Sequence, residues 1–232
     1  MTSEFHGKYL QILDNLEDYL RGGWPRERRE VDEGFEETEF QPGSEEGESL
    51  TEIAAEIREC RKCPLGDLRT NAVPGEGADQ PKLMIIGEAP GAQEDALGRP
   101  FVGPAGQYLD KWLKAIELDR NGDVFIGNII KCRPPQNRDP LPEETSACLP
   151  YLRRQIRVIR PRAILTLGRI STHILTGTVE GIGKLHGRRF EFQGIPLIPT
   201  YHPSAVLRNP VYRKPVWDDL RKLKRLIEQQ EG

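Results

Sequence analysis

The chain has 232 residues and a net charge of −3, with 37% hydrophobic and 30% charged residues, which is enough apolar material for one packed domain and an appendage. The small net charge conceals a split. Met1 to Glu59 carries 6 basic and 17 acidic residues, a net of −11, whereas Cys60 to Gly232 carries 27 basic and 19 acidic residues, a net of +8. A basic body suits a polyanionic partner and an acidic terminal stretch suits a solvated extension. No apolar run reaches the roughly 18 residues of a membrane span and the N-terminus has no basic-then-apolar leader pattern, so a cytoplasmic chain with no membrane partner is expected.

In chain order, Tyr9, Ile12, Leu13, Leu16, Tyr19 and Leu20 fall at helical spacing and predict a short amphipathic helix, which either packs on its own body or docks an unknown protein partner. Gly22 to Gly47 is rich in Gly, Pro and Glu and reads as a linker. The expected division is therefore an acidic, largely disordered extension over 1–48 and a folded domain over 49–232. Ser49-Leu50-Thr51-Glu52 has the capping-box pattern and opens a helix to about Cys60. Lys82–Gly87 predicts a buried strand, followed by a polar loop to Pro104 with no helix at Gly91. A helix follows from Ala105 to about Leu118. Val124–Ile130 is a second strand, and Lys131 to Pro142 a proline-rich loop. Pro142 and Glu143 then begin a helix towards Arg160. Ala163–Leu167 is a strand and Gly168–Leu175 a short helix. Strands at Phe190–Phe192 and Ile195–Thr200 precede a rigid His202-Pro203-Ser204 turn, and Arg213 to Gln230 is an amphipathic helix. Alternating strands and helices predict an α/β fold with a mostly parallel central sheet covered on both faces. Ligands of such sheets bind beyond the carboxyl ends of the strands, here the loops after Gly87, Ile130 and Thr200.

The chain has four cysteines. Cys60 and Cys63 form a C-x2-C, and Cys132 and Cys148 are separated by 15 residues. In a reducing compartment such a set suits structural zinc or an iron–sulfur cluster, and spacing does not choose between them. The loop after the first strand holds Gly87, Gly91, Gly98 and Gly103 with Pro90, Pro100 and Pro104, which permits close backbone approach to a phosphate or a flat ligand along a stiff path. Its spacing does not match the dinucleotide fingerprint. Phe101 in this loop is either core or a platform for a base. Glu88 and Glu94 are acids near the strand end, and Asp95 reads as solvated loop charge. Asn128 lies in an apolar strand; a buried amide must find partners, and Asn can donate and accept side by side, as the edge of uracil requires. His202 follows a strand directly. The Ser204 hydroxyl can bond a phosphate, and Ala205, Val206 and Leu207 before Arg208 form an apolar tip resembling a wedge for the gap left by a flipped nucleotide.

The run Gly87-Glu88-Ala89-Pro90-Gly91 is trailed by Glu94-Asp95 and followed by Gly98-Arg99-Pro100-Phe101-Val102-Gly103, which continues to Asp110. With Asn128–Pro140 and Tyr201–Arg208, these segments resemble the iron–sulfur uracil-DNA glycosylases, called family four, and the resemblance extends from Cys60 to about Glu228. The resemblance implies a three-layer α/β/α domain that hydrolyses the bond between uracil and deoxyribose in DNA, leaving an abasic site for base excision repair. It implies a [4Fe–4S] cluster on Cys60, Cys63, Cys132 and Cys148. It implies that Phe101 stacks on uracil, Asn128 reads its edge and His202 supports the leaving base. Glu88 and Glu94 line the pocket, Glu88 orienting water and Glu94 closing it against a thymine methyl, and Asn137 matches a further pocket position. Ala89 is a substrate contact with no side-chain group for activating water. Ser204, Leu207 and Arg208 contact DNA. One branch of the family traps DNA covalently through a histidine in a basic insert; this chain reads Pro134-Pro135-Gln136-Asn137-Arg138-Asp139 there and lacks the insert. The chain is expected to act as a monomer. Two other classes stay open at this point: a non-catalytic, metal-containing DNA-binding protein, and a hydrolase of free nucleotides.

Overall fold

The computed structural model describes residues 47–230. The expected N-terminal helix, the linker and nearly all of the extension over 1–48 lie outside the described residues.

Six strands form one sheet: β1 (Glu76–Gly77), β2 (Leu83–Gly87), β3 (Val124–Asn128), β4 (Ala163–Leu167), β5 (Phe190–Phe192) and β6 (Ile195–Thr200), in the order β1-β3-β2-β4-β6-β5. The inner ladders β3-β2, β2-β4 and β4-β6 are parallel, with Gly87 level with Asn128 and Leu167 level with Thr200. The edge strands β1 and β5 run antiparallel. Every residue of β2, β3 and β4 is buried, as expected of strands covered on both faces.

Alternation along the strands sorts the core into two halves. Leu83, Ile85, Val124, Ile126 and Leu165 pack on one face against α4 (Pro104–Ala115) and α9 (Arg213–Glu228). Met84, Ile86, Phe125 and Ile164 pack on the other against α1 (Leu50–Glu59) and α5 (Pro142–Ile159). The result is the expected three-layer α/β/α arrangement. Among the described residues no helix is long and apolar enough to cross a membrane.

The predicted strands recur within one to two residues. Four departures matter. First, Gly91 caps a helix, α3 (Ala92–Leu97), which ends at Gly98 with φ 68°. The residues between are good helix formers, and the left-handed end is a position glycine tolerates. Only spacing therefore separates this loop from the dinucleotide fingerprint. Second, Asp95 is buried, and its Oδ1 accepts from the Thr70 and Asn71 amides at 3.0 and 3.4 Å; it is a structural anchor for α3 and not a solvated charge. Third, the segment after His202 is a short helix, α8 (Pro203–Arg208), because Pro203 suits a first helical position. Val206 on it is 1% exposed and belongs to the core, so the expected apolar tip reduces to Leu207, which is 46% exposed. Fourth, the short elements β1, α2 (Leu65–Leu68) and α7 (Ile182–Leu185) have no counterpart in the sequence reading; none is long enough to carry a periodicity. The remaining helix is α6 (Arg169–Thr176).

At the start of α1 the capping box is complete: the Glu52 amide donates to Ser49 Oγ at 3.2 Å and the Ser49 amide donates to Glu52 Oε2 at 2.8 Å. Ile53 and Ile57 of this helix fill the α5 side of the core. Ser49→Ala is expected to lower unfolding free energy by about 1 kcal/mol, read as a shift of the denaturation midpoint at unchanged slope.

Candidate active site and cysteine cavity

The carboxyl ends of β2, β3, β4 and β6 open on one cleft of about 500 Å³. Glu88 leaves β2, Asn128 ends β3, Gly168 and Arg169 follow β4, and His202 follows β6. All five line the cleft.

Its floor depends on a missing side chain. A Cβ on Gly87 would lie 2.4 Å from Asn128 Oδ1 and 2.8 Å from Phe101 Cζ, so only glycine lets the amide and the ring approach the β2 backbone. Phe101 itself has φ 51°, an uncommon conformation for a bulky residue. It is held there from two sides. Glu94 Oε1 accepts from the Val102 and Gly103 amides at 2.9 and 3.0 Å. Gly106 in α4 leaves room for the Phe101 carbonyl, which would sit 1.7 Å from a Cβ. The Phe101 and His202 rings are 5.7 Å apart and tilted by 33°.

Asn128 is 2% exposed. Its Oδ1 is fully buried with no hydrogen-bond partner, alone in this among the buried side-chain N and O atoms of the described residues. A buried acceptor left unpaired costs about 1–3 kcal/mol, which marks it as an acceptor for a donor on a ligand.

His202 caps α8. Its Nδ1 accepts from the Ser204 amide at 3.2 Å and lies 2.8 Å from Ser204 Oγ. An Nδ1 that accepts leaves the proton on Nε2, so the ring is a neutral Nε2–H donor. Burial, reinforced by the Arg208 charge, pushes the ring pKa down to about 4. Glu88 is shifted the other way: burial first, then the nearby Asp139 carboxylate, push it up to about 7, against the opposing charge of Arg169. Asp139 pairs with Arg169 at 2.7 Å. Asn137 lines the cleft with φ 55°, its Oδ1 accepting from Arg133 Nε at 2.8 Å.

The four cysteines line a second cavity on the α1–α5 side, with Ile57, Arg69, Lys131 and Tyr151. Among the described residues no three His, Cys, Asp or Glu side chains converge closely enough to hold a single metal ion. Burial pushes the Cys132 thiol up and the Cys148 thiol up to about 11. Two N–H donors nevertheless reach sulfur: Arg69 donates to Cys132 Sγ at 3.0 Å and the Lys131 amide donates to Cys148 Sγ at 3.3 Å. Donors aimed at sulfur suit thiolates that ligate a metal group.

Residues 74–221 match the model of the uracil DNA glycosylase superfamily. Type-4 uracil-DNA glycosylases are among the similar proteins: that of Saccharolobus solfataricus is 48% identical over 78% of this chain and 87% of its own length. That of Sulfurisphaera tokodaii is 46% identical over 77% and 85%, and that of Pyrobaculum aerophilum 49% over 71% and 87%. The chain belongs to the type-4 uracil-DNA glycosylases.

For a type-4 glycosylase chain, the cleft gathers most of the residues singled out from sequence. Glu88, Ala89, Glu94, Phe101, Asn128 and Asn137 line it, as do His202, Ser204 and Arg208. Leu207 is not part of that lining. Two of these residues carry structural duties that sequence did not reveal: the Glu94 carboxylate grips the Phe101 loop, and the Ser204 hydroxyl is engaged by His202. Sequence reasoning misses Arg169 and Asp139 as neighbours of Glu88. Arg169 stands just past the carboxyl end of β4, so the strand-end rule that selected Glu88 and His202 also reaches it. It misses Lys131 too, fully buried beside the cysteines; a lysine carries no sequence mark of burial.

The His202 ring is expected to titrate near pH 4 in place of the ordinary 6.5, with Nε2 protonated above that pH. Nitrogen-detected NMR of the imidazole tests this; titration at the ordinary value would remove the neutral-donor assignment.

Proposed function

We propose that this chain excises uracil from DNA, leaving an abasic site for base excision repair, with the cleft holding a nucleotide turned out of the stack. The observation that carries the reading is the orphaned Oδ1 of Asn128 beside the Phe101 ring. Uracil stacked on Phe101 presents N3–H to that oxygen and O4 to the Asn128 amide nitrogen, while cytosine presents an amino group and an unprotonated N3 in the same places. His202 faces the same cleft and donates its Nε2 proton to uracil O2 as a hydrogen bond.

Cleavage breaks the bond between uracil N1 and C1′, and the electron pair leaves with the base. Negative charge gathers on the ring and positive charge on the sugar. Donors fixed before the reaction stabilise that anion without reorganising. A neutral His202 does so without having to give up its proton. Glu88, once ionised, orients the water that adds to C1′ and takes up its proton. Glu94 works at one remove, by holding the loop of Phe101 and closing the pocket on the side of a thymine methyl; Ala89 and Asn137 complete the contact with the base. Arg208 lies at the mouth for phosphate and the half-exposed Leu207 enters the gap left in the duplex; the Ser204 hydroxyl, expected to contact DNA, spends its proton on His202 Nδ1 instead. Cys60, Cys63, Cys132 and Cys148 hold a [4Fe–4S] cluster, which contributes folding free energy when bound; sulfurs spread around one cavity suit a cluster better than a single zinc ion. The catalytic domain spans 49–232, with the acidic stretch 1–48 outside it, and the enzyme acts in the cytoplasm.

Incubation with a uracil-containing oligonucleotide, followed by cleavage of abasic sites, tests the activity directly. Asn128→Ala is expected to lower the single-turnover rate roughly ten- to a hundred-fold with little loss of DNA binding. A wild-type rate in that variant would show that the amide does not read the base.

Acidity gives a separate test. Glu88 is protonated below about 7 and ionised above it, so the single-turnover rate should rise with pH through that value. Glu88→Gln should be slow and should lose this limb of the profile; a limb retained in the variant would assign the titration to another group.

A further inference from the structure

Among the described residues Lys131 is the largest of the fully buried side chains, at 1% exposure, on the turn between β3 and Cys132. Its Nζ donates to the Asn128 carbonyl at 2.9 Å and to Gln155 Oε1 at 2.7 Å. Gln155 is itself buried, and its amide nitrogen is spent on the Pro74 carbonyl at 2.8 Å. Both acceptors are neutral. Lys131 lines the cysteine cavity together with Cys132 and Cys148, and its own amide donates to Cys148 Sγ at 3.3 Å.

A buried ammonium with neutral partners alone is costly, and a lysine so placed normally has a counter-charge. Four thiolates around an iron–sulfur core carry a net negative charge and supply one. Arg69, donating to Cys132 Sγ on another side of the cavity, adds a second cation to the same balance. Lys131 also touches the cleft through the chain: it grips the carbonyl of Asn128, whose side chain lies on the cleft floor.

We propose that Lys131 is a positioning residue that ties the cysteine-bound cluster to the uracil-reading amide: cluster charge keeps the ammonium in place, and the ammonium fixes the Asn128 backbone. Cluster and base pocket are thereby joined through this side chain. The inference rests on the uracil-excising reading for its second half and on the iron–sulfur assignment for its first.

The test uses full-length protein with Lys131→Met, which keeps length and removes charge. Iron and sulfide content and the cluster's reduction potential are measured without DNA; single-turnover uracil release and affinity for uracil-free DNA are measured separately. Loss of a nearby cation disfavours the more negative, reduced cluster, so the potential should fall. Uracil release should slow about 10- to 100-fold, the usual cost of removing a group that orients a site from behind, with affinity for uracil-free DNA unchanged. An unchanged potential overturns the charge pairing, and a shifted potential with wild-type release overturns the link to Asn128. If Lys131→Met does not fold, Lys131→Arg carries the test: retained charge with a misplaced donor should leave the potential unchanged and still slow release, and full release would overturn the link. Wild-type protein that carries zinc removes the iron–sulfur assignment, and wild-type protein that leaves uracil in place removes the excision reading; neither result can be mistaken for a failure of the lysine.

Discussion

The site depends on one close approach, that of Asn128 and Phe101 to the β2 backbone at Gly87. Parallel pairing puts Gly87 and Asn128 side by side at the ends of neighbouring strands. Hydrogen atoms in place of a side chain then let an amide and an aromatic ring share the space above. A flat apolar surface and a hydrogen-bonding edge thus stand side by side on the cleft floor. The remaining features support that approach. Glu94 holds the loop of Phe101, Gly106 admits its carbonyl, and Lys131 grips the strand end of Asn128.

Burial acts on the two ionisable groups of the cleft in opposite directions. It keeps His202 uncharged and makes Glu88 reluctant to ionise, because a low-dielectric site disfavours the charged form of each. Burial thus leaves His202 a neutral ring beside Arg208 in place of a second cation. It also leaves Glu88 a carboxyl that changes charge near pH 7. The Asp139–Arg169 pair at the rim tempers Glu88 from both sides.

Much of this was legible in the sequence. Continuous apolar runs mark β2, β3 and β4 because strands buried on both faces leave a run in place of an alternation. Strand-end reasoning and the resemblance together find Asn128, His202 and Phe101. The failures have a common cause. Asp95 and Lys131 are charged residues in polar or turn-like stretches, and their burial arises from contacts with Thr70, Asn71, Gln155 and Asn128. The α3 helix is too short for a periodicity, and Gly91 and Gly98 at its two ends read as loop. Val206 reads as part of an exposed tip because a six-residue helix shows which way a side chain points only once its neighbours are known.

The edges of the sheet have a bearing on how the protein behaves among its own copies. Unpaired strand edges invite other strands and so seed aggregates. Here the four parallel strands, the apolar ones, are enclosed, and the flanks are a two-residue strand at one side and a three-residue strand at the other, both antiparallel. Gly77 in the first has φ 146°, and Arg188 beside the second lays its guanidinium over the Phe190 ring. Neither flank offers a template long enough for a neighbouring chain to add to.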